Sequence, residues 1–423
     1  MMKRDAFSTI SRRQALKTAG ALLAGSGMGL LHSQASAEEE SSDLPPVLLP
    51  YLQNPAPDGM TVLFLARDAT KVSIAWAVEG AKSLSNIDAE SIAIPGTPWT
   101  RWRVRLKGLR PGTTYRYQVR YTIGSTESKT EVYPFTTFDP QADEAKLAIF
   151  NDIHDRKETI SALMKHVKPE DFDASIFNGD MINDPSASNG ARQAITLWNF
   201  YVELLQGYSK PILFVRGNHE VRGSFCKHLH YLFELPSLTF DQAPEDQQWQ
   251  YELTMGPVHF LMMDTGEDDD LDTPEDSYKR PKFWQAYRLR QKQWLEQRLA
   301  ARSGANKPWR VFVSHIPLHN PAGWFSITSR DGWLAELTKY GLSLMLAGHD
   351  HSWKFLSNDK SFAIKGTKDE DKPTFPVLIA GGPSLPEGTV ILLHGTTRAL
   401  RARMYSCEGK LLHSFHDSRP LRS

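Results

Sequence analysis

This 423-residue chain is short of three things. Cysteine is nearly absent: only Cys226 and Cys407 occur, and sequence alone leaves open whether they pair. No sign of charge dominates. Lys+Arg and Asp+Glu both number 49, which excludes a bulk electrostatic pull toward nucleic acid or an anionic membrane. Beyond the N-terminal leader, no apolar run approaches the roughly 20 residues that a bilayer span requires, so no stable membrane span is expected. Internal repeats and long low-complexity tracts are also missing. What remains has the composition of an ordinary soluble globular protein, and its length predicts two or more domains.

Residues 1–37 read as a targeting segment. "SRRQALK" (Ser11 to Lys17) resembles the twin-arginine export motif, with Arg12 and Arg13 as the pair and Ala15 at the usual aromatic position. A weakly apolar stretch, 19–31, follows and is too short and too rich in Gly and Ser to span a bilayer. "ASA" (35–37) fits a small-residue cleavage site, which places the mature start at Glu38. The implied partner is the twin-arginine translocation machinery, and the implied location is periplasmic or secreted. That route carries proteins that are already folded.

Residues 45–138 read as an all-β sandwich. "MTVLFLA" and "KVSIAWAV" are short β-rich runs bounded by turn residues. In "TRWRVRLKGL" Trp102, Val104 and Leu106 alternate with Arg101, Arg103, Arg105 and Lys107, the period of a half-buried strand. A Pro-Gly turn leads into Tyr115, Tyr117, Val119 and Tyr121 on one face of the next strand. "DPQADEA" (139–145) reads as a linker. From 146 to 423 the pattern changes to α/β. Apolar runs of the kind that form strands buried on both faces alternate with helix-like segments such as 187–207 and 283–302.

Each of five apolar runs stops at a polar cluster: "NDIHD", "NGDMIND", "RGNHEVRG", "SHIPLH" and "AGHDHSW". In α/β sheets, ligands bind beyond the carboxyl ends of strands. These clusters supply Asp152, His154, Asp180, Asn218, His315, His349 and His351. Carboxylate, imidazole and amide together, with no thiolate, suit Fe, Mn or Zn and exclude a structural Cys-type zinc site. Seven donors exceed what one ion needs once water is counted. Two ions sharing a carboxylate would use them all, and such a pair is the clamp of in-line phosphoryl displacement. In "GHDH", two histidines at i and i+2 of an extended segment are expected on one side. Asp350 then faces away, toward a neighbouring donor.

The five motifs, in order, resemble the signature of the calcineurin-like metallophosphoesterases, a superfamily that includes purple acid phosphatases. "LKGLRPGTTYRYQV" is similar to the fibronectin type III-like domain that precedes such catalytic domains. The resemblance implies an α/β/β/α sandwich with two mixed sheets. It implies that Asp152, His154 and His351 hold one ion, that Asn218, His315 and His349 hold the other, and that Asp180 bridges them. It further implies attack on phosphorus by a hydroxide shared by the ions, with His219 as general acid and Glu220 orienting its imidazole. Purple acid phosphatases carry a tyrosine three residues after the bridging aspartate, and it colours the ferric ion. Here that position is Asn183, so the protein is not expected to be purple.

Weaker candidates flank the motifs. His319 and Arg222 are candidates for substrate contact, although His319 reads equally as a hydrogen-bonded loop histidine and Arg222, like Arg156, more readily as a salt-bridge residue. Trp324 and Phe325 suggest an aromatic wall, and Trp353 is expected in the core. Asp184 reads as a partner to a ligand or, more readily, as a solvated loop carboxylate, and the acidic run 267–276 is expected to be solvated. His228, His230, His259 and His394 lack motif context and read as structural. The expected function is hydrolysis of small-molecule phosphate esters. Diester, nucleotide or pyrophosphate hydrolysis on the same metal core is the alternative within the class. A cell-wall or glycan-binding protein with an inactive scaffold is the alternative outside it.

Overall fold

The computed structural model describes residues 44–185, 190–238, 242–243, 246–267, 283–301, 304, 306–318, 327–358 and 375–418. The targeting segment therefore lies outside the described residues. Pro45–Ser423 forms one compact unit, and everything below concerns it.

Its first part is a sandwich of short strands: β1 Tyr51–Ala56, β2 Gly59–Ala66, β3 Ala69–Val78, β4 Ser85–Asp88, β5 Glu90–Ala93, β6 Thr100–Lys107, β7 Thr114–Ile123, β8 Thr126–Lys129 and β9 Tyr133–Thr136. One sheet runs β1-β2-β6-β5. The other runs β4-β3-β7-β8, with β9 on β7. The period-2 residues fill the space between them: Trp102, Val104 and Leu106 meet Tyr115, Tyr117, Val119 and Phe135 in one buried cluster. The opposite face of β6 is not simply solvated. Arg101 is buried, and it and Arg103 both pair with Glu234 of the following part. Tyr51 Oη and Tyr117 Oη donate to the carbonyls of Leu232 and Tyr208, so the two parts are held together by satisfied buried polar groups.

The second part contains the expected two mixed sheets. Its strands are β10 Glu144–Phe150, β11 Ala174–Asn178, β12 Ile212–Val215, β13 Tyr251–Met255, β14 Val258–Met263, β15 Trp309–Ser314, β16 Leu344–Ala347, β17 Lys354–Leu356, β18 Val377–Ile379, β19 Thr389–Thr396, β20 Ala399–Ser406 and β21 Leu411–Ser418. One sheet has the order β12-β11-β10-β19-β20-β21, the other β13-β14-β15-β16-β18-β17. β10, β11 and β12 are mutually parallel, as are β14, β15, β16 and β18. The described helices are α1 Lys157–Met164, α2 Gly190–Leu204, α3 Phe283–Ala300 and α4 Ile327–Tyr340. α2 covers the first sheet through Trp198 and Tyr201, whose rings stand edge-on to Phe177. Leu295 of α3 and Trp333 and Leu337 of α4 join Leu261, Phe312 and Met345 in the core of the second. Helices on the outer faces of two packed sheets explain why β11, β12 and β16 are buried throughout and mostly apolar. Among the described residues no helix is long and apolar enough to cross a membrane.

Candidate metal centre

Five loops leave the carboxyl ends of β10, β11, β12, β15 and β16, and they are laced to one another by backbone bonds. Asp152 N–H donates to the Gly179 carbonyl at 3.0 Å, His154 N–H to that of Asp180 at 2.8 Å, and Gly348 N–H to that of His315 at 2.8 Å. Two glycines allow this closeness. A Cβ on Gly217 would stand 2.2 Å from Asp180 Oδ1, and one on Gly179, which has φ +83°, would stand 2.4 Å from the His315 ring.

The seven sequence-predicted donors converge. Asp152, His154, Asp180 and His351 form one group of potential ligand atoms, and Asp180, His315 and His349 form another, each group within 4.8 Å. Asp180 is common to both. Its Oδ2 lies 3.0 Å from His315 Nε2 and 3.4 Å from His154 Nε2. Asp152 Oδ1 is 3.4 Å from His351 Nε2. Asn218 joins the second group through Oδ1, 3.1 Å from His349 Nδ1.

These residues fit metal ions on a property of the chain itself. Asp180 Oδ2 and His315 Nε2 are buried with no hydrogen-bond partner, and orphaned buried polar atoms are rare unless something else satisfies them. His315 Nδ1 donates to the Asn178 carbonyl at 2.8 Å, which leaves Nε2 as the lone-pair nitrogen facing the cluster. Electrostatics agree. Burial alone would lower the histidines, yet Asp180 and Asp152 outweigh it and lift His315 to about 10 and His154 to about 9. Burial likewise opposes ionisation of Asp180, but His315 and His154 hold it well below the carboxylate range. The cluster demands positive charge, which protons or cations can supply.

The backbone here differs from expectation. His349 and His351 are not extended; both lie in the left-handed region, at φ 74° and 54°. So do Asp152 (52°), His154 (45°) and Asp180 (53°). The two imidazoles of "GHDH" reach different groups because a tight bend turns them there. Asp350 between them accepts from Lys354 Nζ at 2.5 Å, the neighbouring donor its position implied.

Two supporting residues depart from the roles read from sequence. Glu220 is fully buried, and its carboxylate accepts four backbone N–H groups: Met181 (2.7 Å) and Ile182 (3.0 Å) on Oε1, Asp180 (2.8 Å) and Gly217 (2.7 Å) on Oε2. Its acceptors are committed to clamping two loops, so it does not orient His219. Burial, and then the Asp180 charge, push its carboxyl up, opposed by those amides. Asp184 takes the orienting position: its Oδ1 accepts from His219 Nδ1 at 2.9 Å, so it is not a merely solvated carboxylate. His219 Nε2 then faces the cluster, 3.9 Å from Asp180 Oδ2. Arg222 is paired through Nε and Nη2 with Glu267, and its Nη1 lies 3.4 Å from His219 Nε2.

Beneath the "GNHE" loop, Arg216 donates to Asp264 Oδ2 at 2.9 and 2.6 Å, and Tyr287 Oη donates to the same oxygen at 2.6 Å. No motif pointed to this buried group, because its members are far apart in sequence. Trp353 is 39% exposed and not in the core; it sits where edge strand β17 begins, with its ring 6.4 Å from that of His413. Arg156 faces Glu158 at 3.9 Å. Cys226 and Cys407 are both buried, and no disulfide joins them. His319, Trp324, Phe325 and residues 268–276 lie outside the described residues.

Residues 145–353 match the family model described as calcineurin-like phosphoesterase. The chain is 24% identical over 259 residues to the probable purple acid phosphatase 20 of Arabidopsis thaliana, covering 59% of this chain and 54% of that one. It is 23% identical over 255 residues to a phosphoenolpyruvate phosphatase of Allium cepa, covering 57% and 48%. The chain thus spans about half the length of the curated relatives it matches. In structure it is similar to a purple acid phosphatase from yellow lupin (Lupinus luteus) seeds, with TM-score 0.66 at 16% identity over 89% of this chain and 75% of that one.

Proposed function

We propose that this protein is an exported, two-metal hydrolase of small-molecule phosphate esters. The observation that carries the reading is Asp180. One buried carboxylate belongs to both ligand groups and has an oxygen that no protein donor satisfies. Asp152, His154 and His351 would hold one ion with it, and Asn218, His315 and His349 the other. Two such ions supply a nucleophile at neutral pH and neutralise phosphoryl oxygens; Fe, Mn and Zn all suit this donor set.

The chain's own residues provide the rest. Asp184 fixes Nδ1 of His219 as a donor, so Nε2 is the atom that would pass a proton to the leaving oxygen. Glu220 holds the Asp180 and Gly217 backbones in place. Arg222, paired with Glu267 beside His219, would contact a phosphoryl oxygen. The similarity to a probable purple acid phosphatase and a phosphoenolpyruvate phosphatase supports monoesters over diesters. The "SRRQALK" motif supports export by the twin-arginine route.

The test is to express the mature chain, count bound metal, and assay a chromogenic phosphomonoester beside the matching diester. Two ions per chain and preferential monoester turnover are expected. Fewer than one ion, with no turnover after Mn, Fe or Zn is added, would refute the reading.

A further inference from the structure

His154 stands in the loop after β10, yet what orients its ring comes from the next loop. Asn183 Oδ1 accepts from His154 Nδ1 at 3.0 Å. In return, Asp155 Oδ1 accepts from the backbone N–H of Asn183 at 2.9 Å. Gln193, on α2, joins both: its Nε2 donates to Asp155 Oδ2 at 2.5 Å and to the Asn183 carbonyl at 2.8 Å. Two backbone bonds run parallel to these, from His154 N–H to the Asp180 carbonyl at 2.8 Å and from Asp155 N–H to that of Met181 at 3.3 Å. The side chains thus form a reciprocal clasp across two adjacent loops, with a helix as its third point.

The clasp has something to hold. His154 and Asp155 are consecutive left-handed residues, at φ 45° and 66°, a conformation that persists only where surroundings over-determine it. Asn183 is itself solvent-exposed, where water competes for any single hydrogen bond. Its grip on the ring therefore depends on Asp155 and Gln193 pinning its backbone. With Nδ1–H committed to Asn183, Nε2 is the only ring nitrogen available toward the cluster, 3.4 Å from Asp180 Oδ2 and 3.0 Å from His351 Nε2.

We infer that Asn183 and Gln193 are positioning residues for one of the two metal positions, acting through the ring orientation and tautomer of His154. Asn183 touches neither ion nor substrate. Its effect is confined to the group containing His154 and His351, because His315 takes its orientation from the Asn178 carbonyl. The inference rests on the two-ion reading above. Partners that orient a metal-ligating histidine typically contribute 10- to 100-fold to metal affinity.

The experiment titrates Mn²⁺ into metal-stripped full-length chain, followed by calorimetry and electron paramagnetic resonance. It compares wild type, Asn183→Leu, Asn183→Asp and Gln193→Leu, with near-UV circular dichroism to verify folding. Asn183→Leu keeps the shape but cannot accept the Nδ1 proton. It should weaken one of the two sites by roughly ten-fold and leave the other unchanged. Asn183→Asp keeps the acceptor and should restore that site, and Gln193→Leu should weaken the same site less. In Zn²⁺-loaded, ring-¹⁵N-labelled protein the His154 Nδ1 proton should be visible in wild type and lost in Asn183→Leu. A wild type that binds two ions alongside an Asn183→Leu variant with both affinities intact overturns this inference alone. A wild type that binds none overturns the two-ion reading and this inference with it.

Discussion

Replacing Glu220 by glutamine separates the role that the structure gives this residue from the role its motif suggests. Each Glu220 oxygen accepts two backbone N–H groups, three of the four from the loop after β11 and the fourth, Gly217, from the loop after β12. Glutamine is nearly isosteric but has one acceptor oxygen, so two of the four amides would face an NH₂ group with nothing to accept them. A buried donor left unsatisfied costs about 1–3 kcal/mol, so the variant should lose roughly 2–6 kcal/mol. Urea denaturation in the presence of a chelator measures this without contribution from metal binding. Hydrogen exchange should localise the effect among the amides of Asp180, Met181, Ile182 and Gly217, the pair facing the new NH₂ group becoming newly unprotected. Metal affinity should fall as well, because the same bonds hold Asp180 at φ 53°. If Glu220→Gln unfolds within about 0.5 kcal/mol of wild type, the range of ordinary surface substitutions, and those four amides stay protected, the clamp assignment is wrong.

Other expectations follow from the same geometry. His219→Ala should retain both ions but lose about 10²- to 10⁴-fold in kcat on esters with poor leaving groups, and less on activated ones; Asp184→Asn should move kcat in the same direction by a smaller factor. Metal-loaded protein should show no visible charge-transfer band, because Asn183 stands where a tyrosinate ligand would be and hydrogen-bonds His154 instead; a purple preparation would contradict this. Burial, and then the charges of His228 and Arg101, lower His230 from 6.5 to about 4. The folded chain therefore keeps it neutral while the unfolded chain takes up a proton. Stability should be complete above pH 6.5 and fall toward pH 4 by at most roughly 3 kcal/mol from this group. His230→Gln should lack that component in denaturation curves compared across the range.

How much of this was legible in the sequence depends on the distance over which each feature is encoded. The strand runs carry their own signal, because burial on both faces requires an unbroken apolar stretch. The sheets therefore appear where the runs predict, and "LSLML" and "PILFV" end at donors because β16 and β12 end there. Asp152, His154, Asp180, Asn218, His315, His349 and His351 are legible for the same reason. The supporting residues are not. Arg216, Asp264 and Tyr287 meet only because β12, β14 and α3 converge, and no local spacing records that. Arg101 reads as an exposed strand position, since alternation says which face a side chain occupies but not what covers that face.

Glu220 and Asp184 show where motif reading reaches its limit. Adjacency made Glu220 the natural partner for His219, but neighbouring residues in a single 3₁₀ turn, His219–Val221, point in different directions. The residue after a ligand-loop histidine is better placed to reach inward than to reach that histidine. Asp184 approaches from a different loop, where φ 40° turns it toward the ring. The same reasoning applies to "GHDH". Five of the seven donors, Asp152, His154, Asp180, His349 and His351, have left-handed backbones. Asp and His tolerate that region better than most residues, and the inter-loop bonds hold them in it. A donor list predicts which atoms can bind a cation. The bends that make those atoms converge are imposed by neighbouring loops, so Glu220, Asn183 and Asp155 should govern the centre although none of them is a ligand.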